Sequence, residues 1–163
     1  MASNNERLLA AAKSDNEDLL FEIFQQGDFD INHADGSQVM ITPEALHYAS
    51  SMPSPNVIDH LLSYEDCDVD PVNRLQKATP LHLAVKISDP KLRFYIVQTL
   101  LEAGADIRIK DKFGSLAIDL VASDDPNTKA AIREAQGLAS IAKADIVHDD
   151  DESDSVSVPS DDE

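Results

Sequence analysis

The chain has 163 residues with 13 Lys and Arg against 31 Asp and Glu, a formal net charge of −18 and a pI near 4.3. So acidic a surface works against functions that begin by attracting phosphates, whether of nucleic acid or of an anionic membrane, and the length suits one domain rather than two catalytic ones. Apolar residues make up 42% of the composition but aromatic ones only 5%, with no Trp, so the core must be built from Leu, Ile, Val and Ala, which favours packed helices over a β-sandwich.

The N-terminal stretch Met1-Ala2-Ser3-Asn4-Asn5-Glu6 is polar and acidic, where a secretory leader would be basic and then apolar. No stretch approaches the roughly 20 apolar residues of a membrane span, and the lone Cys67 cannot close an internal disulfide. The expectation is a cytoplasmic or nuclear protein with no membrane and no nucleic acid among its partners.

In chain order, Leu8-Leu9-Ala10-Ala11-Ala12-Lys13 followed by Asp18-Leu19-Leu20 predicts a first pair of helices. The next pair opens at Glu44-Ala45-Leu46-His47-Tyr48-Ala49, and this hexapeptide returns 35 positions later as Thr79-Pro80-Leu81-His82-Leu83-Ala84. A fixed period of that size is the mark of a repeat array. Ser54-Pro55, Asp89-Pro90 and Asp125-Pro126, spaced by 35 and 36 residues, each place a capping oxygen before a proline suited to a first helical position. Leu92, Ile96, Val97, Leu100 and Leu101 then make one apolar helical face that stops at Gly104. Each unit thus reads helix, short turn, helix, long turn. Gly114-Ser115-Leu116-Ala117-Ile118-Asp119-Leu120 opens a fourth, whose last helix pattern (Ala130, Ala131, Ile132, Ala135) continues past Gly137 through Leu138, Ala139, Ile141 and Ala142 as a terminal cap.

Beyond Lys143 there is no Lys or Arg, and residues 145–163 hold nine acids, leaving 22 acids against 13 bases over residues 1–144. From about His148 the composition is too poor in apolar residues to offset its own ordering entropy. The expected organisation is a repeat domain over 4–144 and a disordered acidic tail over 145–163.

Thr79-Pro80-Leu81-His82-Leu83-Ala84, Thr99-Leu100-Leu101-Glu102-Ala103-Gly104-Ala105-Asp106 and Lys110-Asp111 resemble the ankyrin repeat family. The resemblance implies an all-α solenoid of about four helix-turn-helix units, with long loops along one edge that line a concave groove together with the first helices. It also implies protein–protein recognition.

The residues offer no competing chemistry. Thr79 is expected to cap the helix that Pro80 starts, with Leu81 in the core. His82 and His47 lack Cys, Asp or His partners at ligand spacing and are expected to hydrogen-bond to neighbouring turns. His60 near Cys67 is a weak metal signal, and the scattered glycines form no phosphate loop. No cofactor or metal is expected.

Departures from the repeat locate the candidate binding residues. About four residues of Gln38–Glu44 are extra relative to the third loop; Val39, Met40 and Ile41 there read either as an apolar finger offered to a partner or as a tolerated insertion. The second long loop, which carries Arg74, is one residue longer than the third, and Lys77 stands where the family has a glycine, so the backbone is expected to bend differently there. Arg108, Lys110, Lys112 and Phe113 in the third loop read as a partner-binding patch near the groove edge or as solubilising charges.

Three functions follow as expectations. The leading one is a monomeric, non-catalytic module binding a partner protein through groove and loops, with the acidic tail favouring a basic client. The others are an adaptor switched by phosphorylation of Ser153 and Ser160, which stand in acidic contexts, and a dedicated chaperone of a basic ribosomal protein.

Overall fold

The computed structural model describes residues 2–33 and 45–144, with side-chain environments through Leu138. The helices are α1 (Asn4–Ser14), α2 (Glu17–Gln26), α3 (Ala45–Ser51), α4 (Pro55–Leu62), α5 (Pro80–Ala84), α6 (Pro90–Glu102) and α7 (Pro126–Ala144), with a 3-10 helix over Ala117–Leu120. No strand occurs among the described residues. Val39, Met40 and Ile41 of the extra segment lie outside the described residues, as do Ser153, Ser160 and the whole of 145–163.

Local chemistry starts α1, α2 and α6. Ser3 and Glu6 close a reciprocal capping box on α1, Asn16 accepts from the Leu19 amide at the start of α2, and Asp89 accepts from the Lys91 and Leu92 amides at the start of α6. One expected cap is replaced. Ser54 makes no capping bond; its hydroxyl lies 2.7 Å from the carbonyl oxygens of Ala12 and Met52. The cap of α4 comes instead from Asp15, at the end of α1, whose Oδ1 accepts from the Asn56 and Val57 amides at 3.1 Å. Thr79 likewise shares its expected role with His82: its amide and hydroxyl both reach His82 Nδ1, at 3.3 and 2.8 Å.

The helices stack in two rows. α1, α3, α5 and the 3-10 helix touch in sequence along the inner row, while α2, α4, α6 and α7 form the outer row behind them. Leu8, Leu20, Ile23, Val57, Ile58, Leu61, Leu81, Ile96, Leu100 and Ile132 are fully buried in one continuous core. The first helix of each unit shortens from α1 to the 3-10 helix, which is all that remains of it in the fourth unit. α7 runs unbroken through Gly137 to Ala144.

The loops are tied by a repeated device. Asp30, Asp68 and Asp106 each accept from the amide two residues on, a local turn that a short acidic side chain favours. In the first two loops the residue at that later position then bonds to the next unit: Asn32 Oδ1 accepts from the Asp68 amide and Asp70 Oδ2 from the Asp106 amide, both at 2.8 Å.

Candidate functional site

Two adjoining loop tips flank the inner row. In the second loop, Asn73 and Ala78 close the turn through the Asn73 amide at 3.0 Å, and Asn73 Oδ1 accepts from the Gln76 amide at 2.8 Å. In the third, Asp111 Oδ1 accepts from the Phe113 and Ser115 amides at 2.9 Å. The Ser115 amide bond, and the Phe113 one with it, outweigh burial and hold this carboxyl below its usual range. The Lys112 amide donates to the Gln76 carbonyl at 2.8 Å and locks the two tips together.

The expected change of bend at Lys77 does not occur. Its φ is +50°, in the same left-handed region as Gly114 at +80°. The extra residue of the second loop is absorbed within the turn, and Lys77 carries a side chain where the third loop has none.

The tips bring some of the sequence-predicted residues together and set one apart. Arg74, Lys110, Lys112 and Phe113 are all exposed, and Lys112 Nζ lies 5.0 Å from the centre of the Phe113 ring. Arg108 is also exposed, but its guanidinium is held by Asp106 through two bonds of 2.9 Å. That contact first, and the Arg108 amide second, keep Asp106 below the ordinary carboxylate range. Arg108 is therefore a paired charge rather than a free cation of the patch.

Between α3, α5 and the second tip lies a recess of about 240 Å³, with Tyr48, Leu75 and Leu83 as its apolar lining and Ser51, Asn73 and Gln76 as polar edges. His47 lies in its wall, buried, with Nε2 donating to the Ala78 carbonyl at 3.1 Å. Burial depresses the ring's pKa below its ordinary value, so at neutral pH it is an uncharged structural donor. His82 takes the matching role in the next unit, its Nε2 lying 3.2 Å from the Ser115 carbonyl. Lys13 Nζ sits 4.0 Å over the Tyr48 ring and extends this face to α1.

Tyr48 and Leu83 were not singled out in the sequence, although a signal existed: both fill the variable place between His and Ala in the two copies of the hexapeptide. Leu75 had no comparable mark, because its exposure depends on the conformation of the tip. His60, by contrast, bonds to Glu17 at 2.9 Å and packs against Phe21, on the outer row and away from the recess. Among the described residues, no three His, Cys, Asp or Glu side chains gather as a metal site, and no helix is long and apolar enough to cross a membrane.

Stacked helix pairs in two rows and loops tied unit to unit define a helical-repeat solenoid. The chain belongs to the ankyrin repeat family: the family described as Ankyrin repeats (3 copies) matches residues 8–111. It is also similar to the Saccharomyces cerevisiae ankyrin repeat-containing protein YGL242C, at 34% identity over 134 residues covering 76% of this chain and 72% of that protein. Members of this family are in general non-catalytic modules that mediate protein–protein interaction.

Proposed function

We propose that this protein binds a partner protein with its concave inner row and its two loop tips, and that the partner is a basic client drawn in by the acidic segment 145–163. The observation that carries the binding surface is the recess between α3, α5 and the second tip, whose lining includes Leu75 at 39% exposure, beside Phe113 at 75%. Exposed apolar groups next to a preformed concavity are what a buried anchor residue of a partner requires. The nine acids of 145–163 support the basic character of the client, since they raise the encounter rate with a cationic protein. A basic ribosomal protein fits that chemistry, and the place of action we propose is the cytoplasm or nucleus.

Quantitative affinity purification of the whole chain as a monomer, beside a Leu75→Ser, Leu83→Ser, Phe113→Ser variant, tests this reading. The expected result is a basic protein retained by the first and lost from the second, with unchanged helical circular dichroism. Identical captured sets would overturn it.

A second reading has its own support in Ser160, followed by Asp161, Asp162 and Glu163, and in Ser153, between Glu152 and Asp154. Phosphates there would deepen the charge of the segment by about −1.5 to −2 each and tune its pull on a client. Intact-mass measurement of protein from its native cells is expected to show added phosphate; unmodified chain alone would remove this reading.

A further inference from the structure

The cations of this acidic chain are unevenly placed. Arg74, Lys77, Lys110 and Lys112 all stand exposed on the two locked loop tips, and the first three make no ion pair among the described residues. Three acids of the second and third loops have partners other than these cations: Asp111 accepts from the Ser115 and Phe113 amides, Asp106 pairs with Arg108, and Asp70 accepts from the Asp106 amide. Phe113 is the most exposed large apolar side chain described and lies under Lys112. The result is a cationic platform with an apolar centre on a molecule of charge −18.

We infer that this platform is the docking site of the chain's own acidic segment, residues 145–163. The complement is direct, since the segment carries nine acids, no Lys or Arg, and the apolar residues Ile146, Val147, Val156 and Val158. Its point of attachment suits the contact. Arg93 at the start of α6 grips Asp125 at the start of α7, so the two packed helices begin side by side. The third loop leaves α6 after Glu102 and the acidic segment leaves α7 after Ala144. Asp149 to Asp154 lie five to ten residues beyond that point, a reach of about 17–36 Å when extended. Tethering supplies an effective concentration on the order of millimolar, so weak pairwise attractions suffice.

The contact exists without any client. Where a basic client binds, it competes with the tips for the acidic segment and uncovers Phe113 and Leu75, and by linkage an occupied platform weakens the client's hold on the segment to the same degree.

Paramagnetic relaxation on the full chain tests the inference, with a nitroxide attached at Ser155→Cys in a Cys67→Ser background. The expected result in about 0.02 M salt is broadening of the amides of Arg74–Lys77 and Lys110–Gly114, with those of Glu22 and Asp59 on the outer row unaffected. Broadening is lost in about 0.5 M salt, where screening cuts the interaction to a few ångströms, and in the Arg74→Gln, Lys77→Gln, Lys110→Gln, Lys112→Gln variant. Sharp tip amides at low salt, or broadening that survives the four substitutions, would overturn it. So would broadening confined to mixtures in which the nitroxide and the isotope label sit on separate chains, which assigns the platform to a second copy. Because Cys67 is half-buried, zero-length amine–carboxyl crosslinking of the unsubstituted chain is the companion measurement. Intrachain links from Lys77, Lys110 or Lys112 to Asp149–Glu152 are expected, and their absence would overturn the inference equally.

Discussion

Arg93 Nε lies 2.6 Å from Asp125 Oδ2, with the two side chains only 10% and 8% exposed. The same guanidinium donates to the Ile87 carbonyl at 2.6 Å, and Asp125 also accepts from the Thr128 amide and hydroxyl at 3.1 and 2.6 Å. One buried pair therefore fastens the α5–α6 turn, α6 and the cap of α7.

Replacing Arg93 by Met leaves Asp125 buried without its cation, a loss of roughly 3 kcal/mol to be read from urea unfolding at pH 7. Burial pushes the Asp125 carboxyl up, but the Thr128 hydroxyl and amide and the Arg93 guanidinium together hold it below the ordinary value. A carboxyl depressed in the folded state adds stability above its unfolded pKa, about 3.9, and loses that contribution as pH falls through the folded value. The gap between native chain and Arg93→Met is therefore expected to be widest at neutral pH and to shrink below about pH 4. A gap that is constant with pH would mean the pair contributes by packing alone.

How legible these features were depends on how local they are. The hexapeptide, the Asp89 cap and the apolar face of α6 are set by neighbours in sequence, and the structure keeps all three. The misplaced cap of α4 came from distance: Asp15 reaches that helix from 41 positions upstream, and no local pattern distinguishes it from Ser54, which has the better cap sequence. The geometry of the candidate loop-tip patch was half legible for the same reason. Charge type and loop position pointed to Lys110, Lys112 and Phe113, whereas the pairing of Arg108 with Asp106 and the exposure of Leu75 are set by folded geometry. Lys77 shows the limit of analogy, because a missing glycine signals strain as readily as a changed path.

The Asp15 cap gives the second prediction. Its Oδ1 serves two backbone amides of α4 and its Oδ2 the Asn56 side chain at 2.9 Å, so α1 and α4 are joined through one carboxylate. Asp15→Ala is expected to cost roughly 1–2 kcal/mol, whereas Ser54→Ala leaves the α4 cap in place, since that serine makes no capping bond. Asp15→Asn keeps one acceptor oxygen and tolerates the residue's positive φ of 50°, so most of the loss is recovered. Thermal unfolding of the three variants orders them; an Asp15→Ala protein as stable as the native chain would refute the assignment.

At Lys77 the left-handed backbone holds a long side chain that makes no ion pair among the described residues. The conformation costs an ordinary residue about 1–2 kcal/mol, partly offset by the lower entropy of its unfolded state relative to glycine. Lys77→Gly is expected to raise stability by about 0.5–1 kcal/mol, measured by urea unfolding. The substitution also removes one cation from the docking platform, so in about 0.02 M salt the tip amides of the spin-labelled chain should sharpen while the fold becomes more stable. The two readouts move in opposite senses only if Lys77 is strained by the turn and used by the acidic segment.

The final prediction concerns the loop ladder. Asn32 and Asp70 take equivalent places, each accepting from the amide of the next unit's aspartate. Asn32 also donates through Nδ2 to the Asp66 carbonyl at 2.7 Å, whereas the corresponding oxygen of Asp70, Oδ1, is buried without a donor among the described residues. Burial raises the Asp70 carboxyl, the Asp106 amide pulls it back, and the Asp106 and Asp68 carboxylates raise it again. A carboxyl whose folded pKa is raised destabilises the fold above that pKa, and the penalty disappears as pH falls to the unfolded value near 3.9. Asp70→Asn abolishes the charge, keeps the acceptor for the Asp106 amide and supplies the donor that Asn32 already uses. A gain of about 1 kcal/mol at pH 7 is expected for the added hydrogen bond, with the advantage narrowing toward pH 4 as the native carboxyl protonates. Urea unfolding at the two pH values decides it: a destabilised Asp70→Asn chain at pH 7 would mean that the charged carboxylate, rather than its shape, holds the second loop against the third.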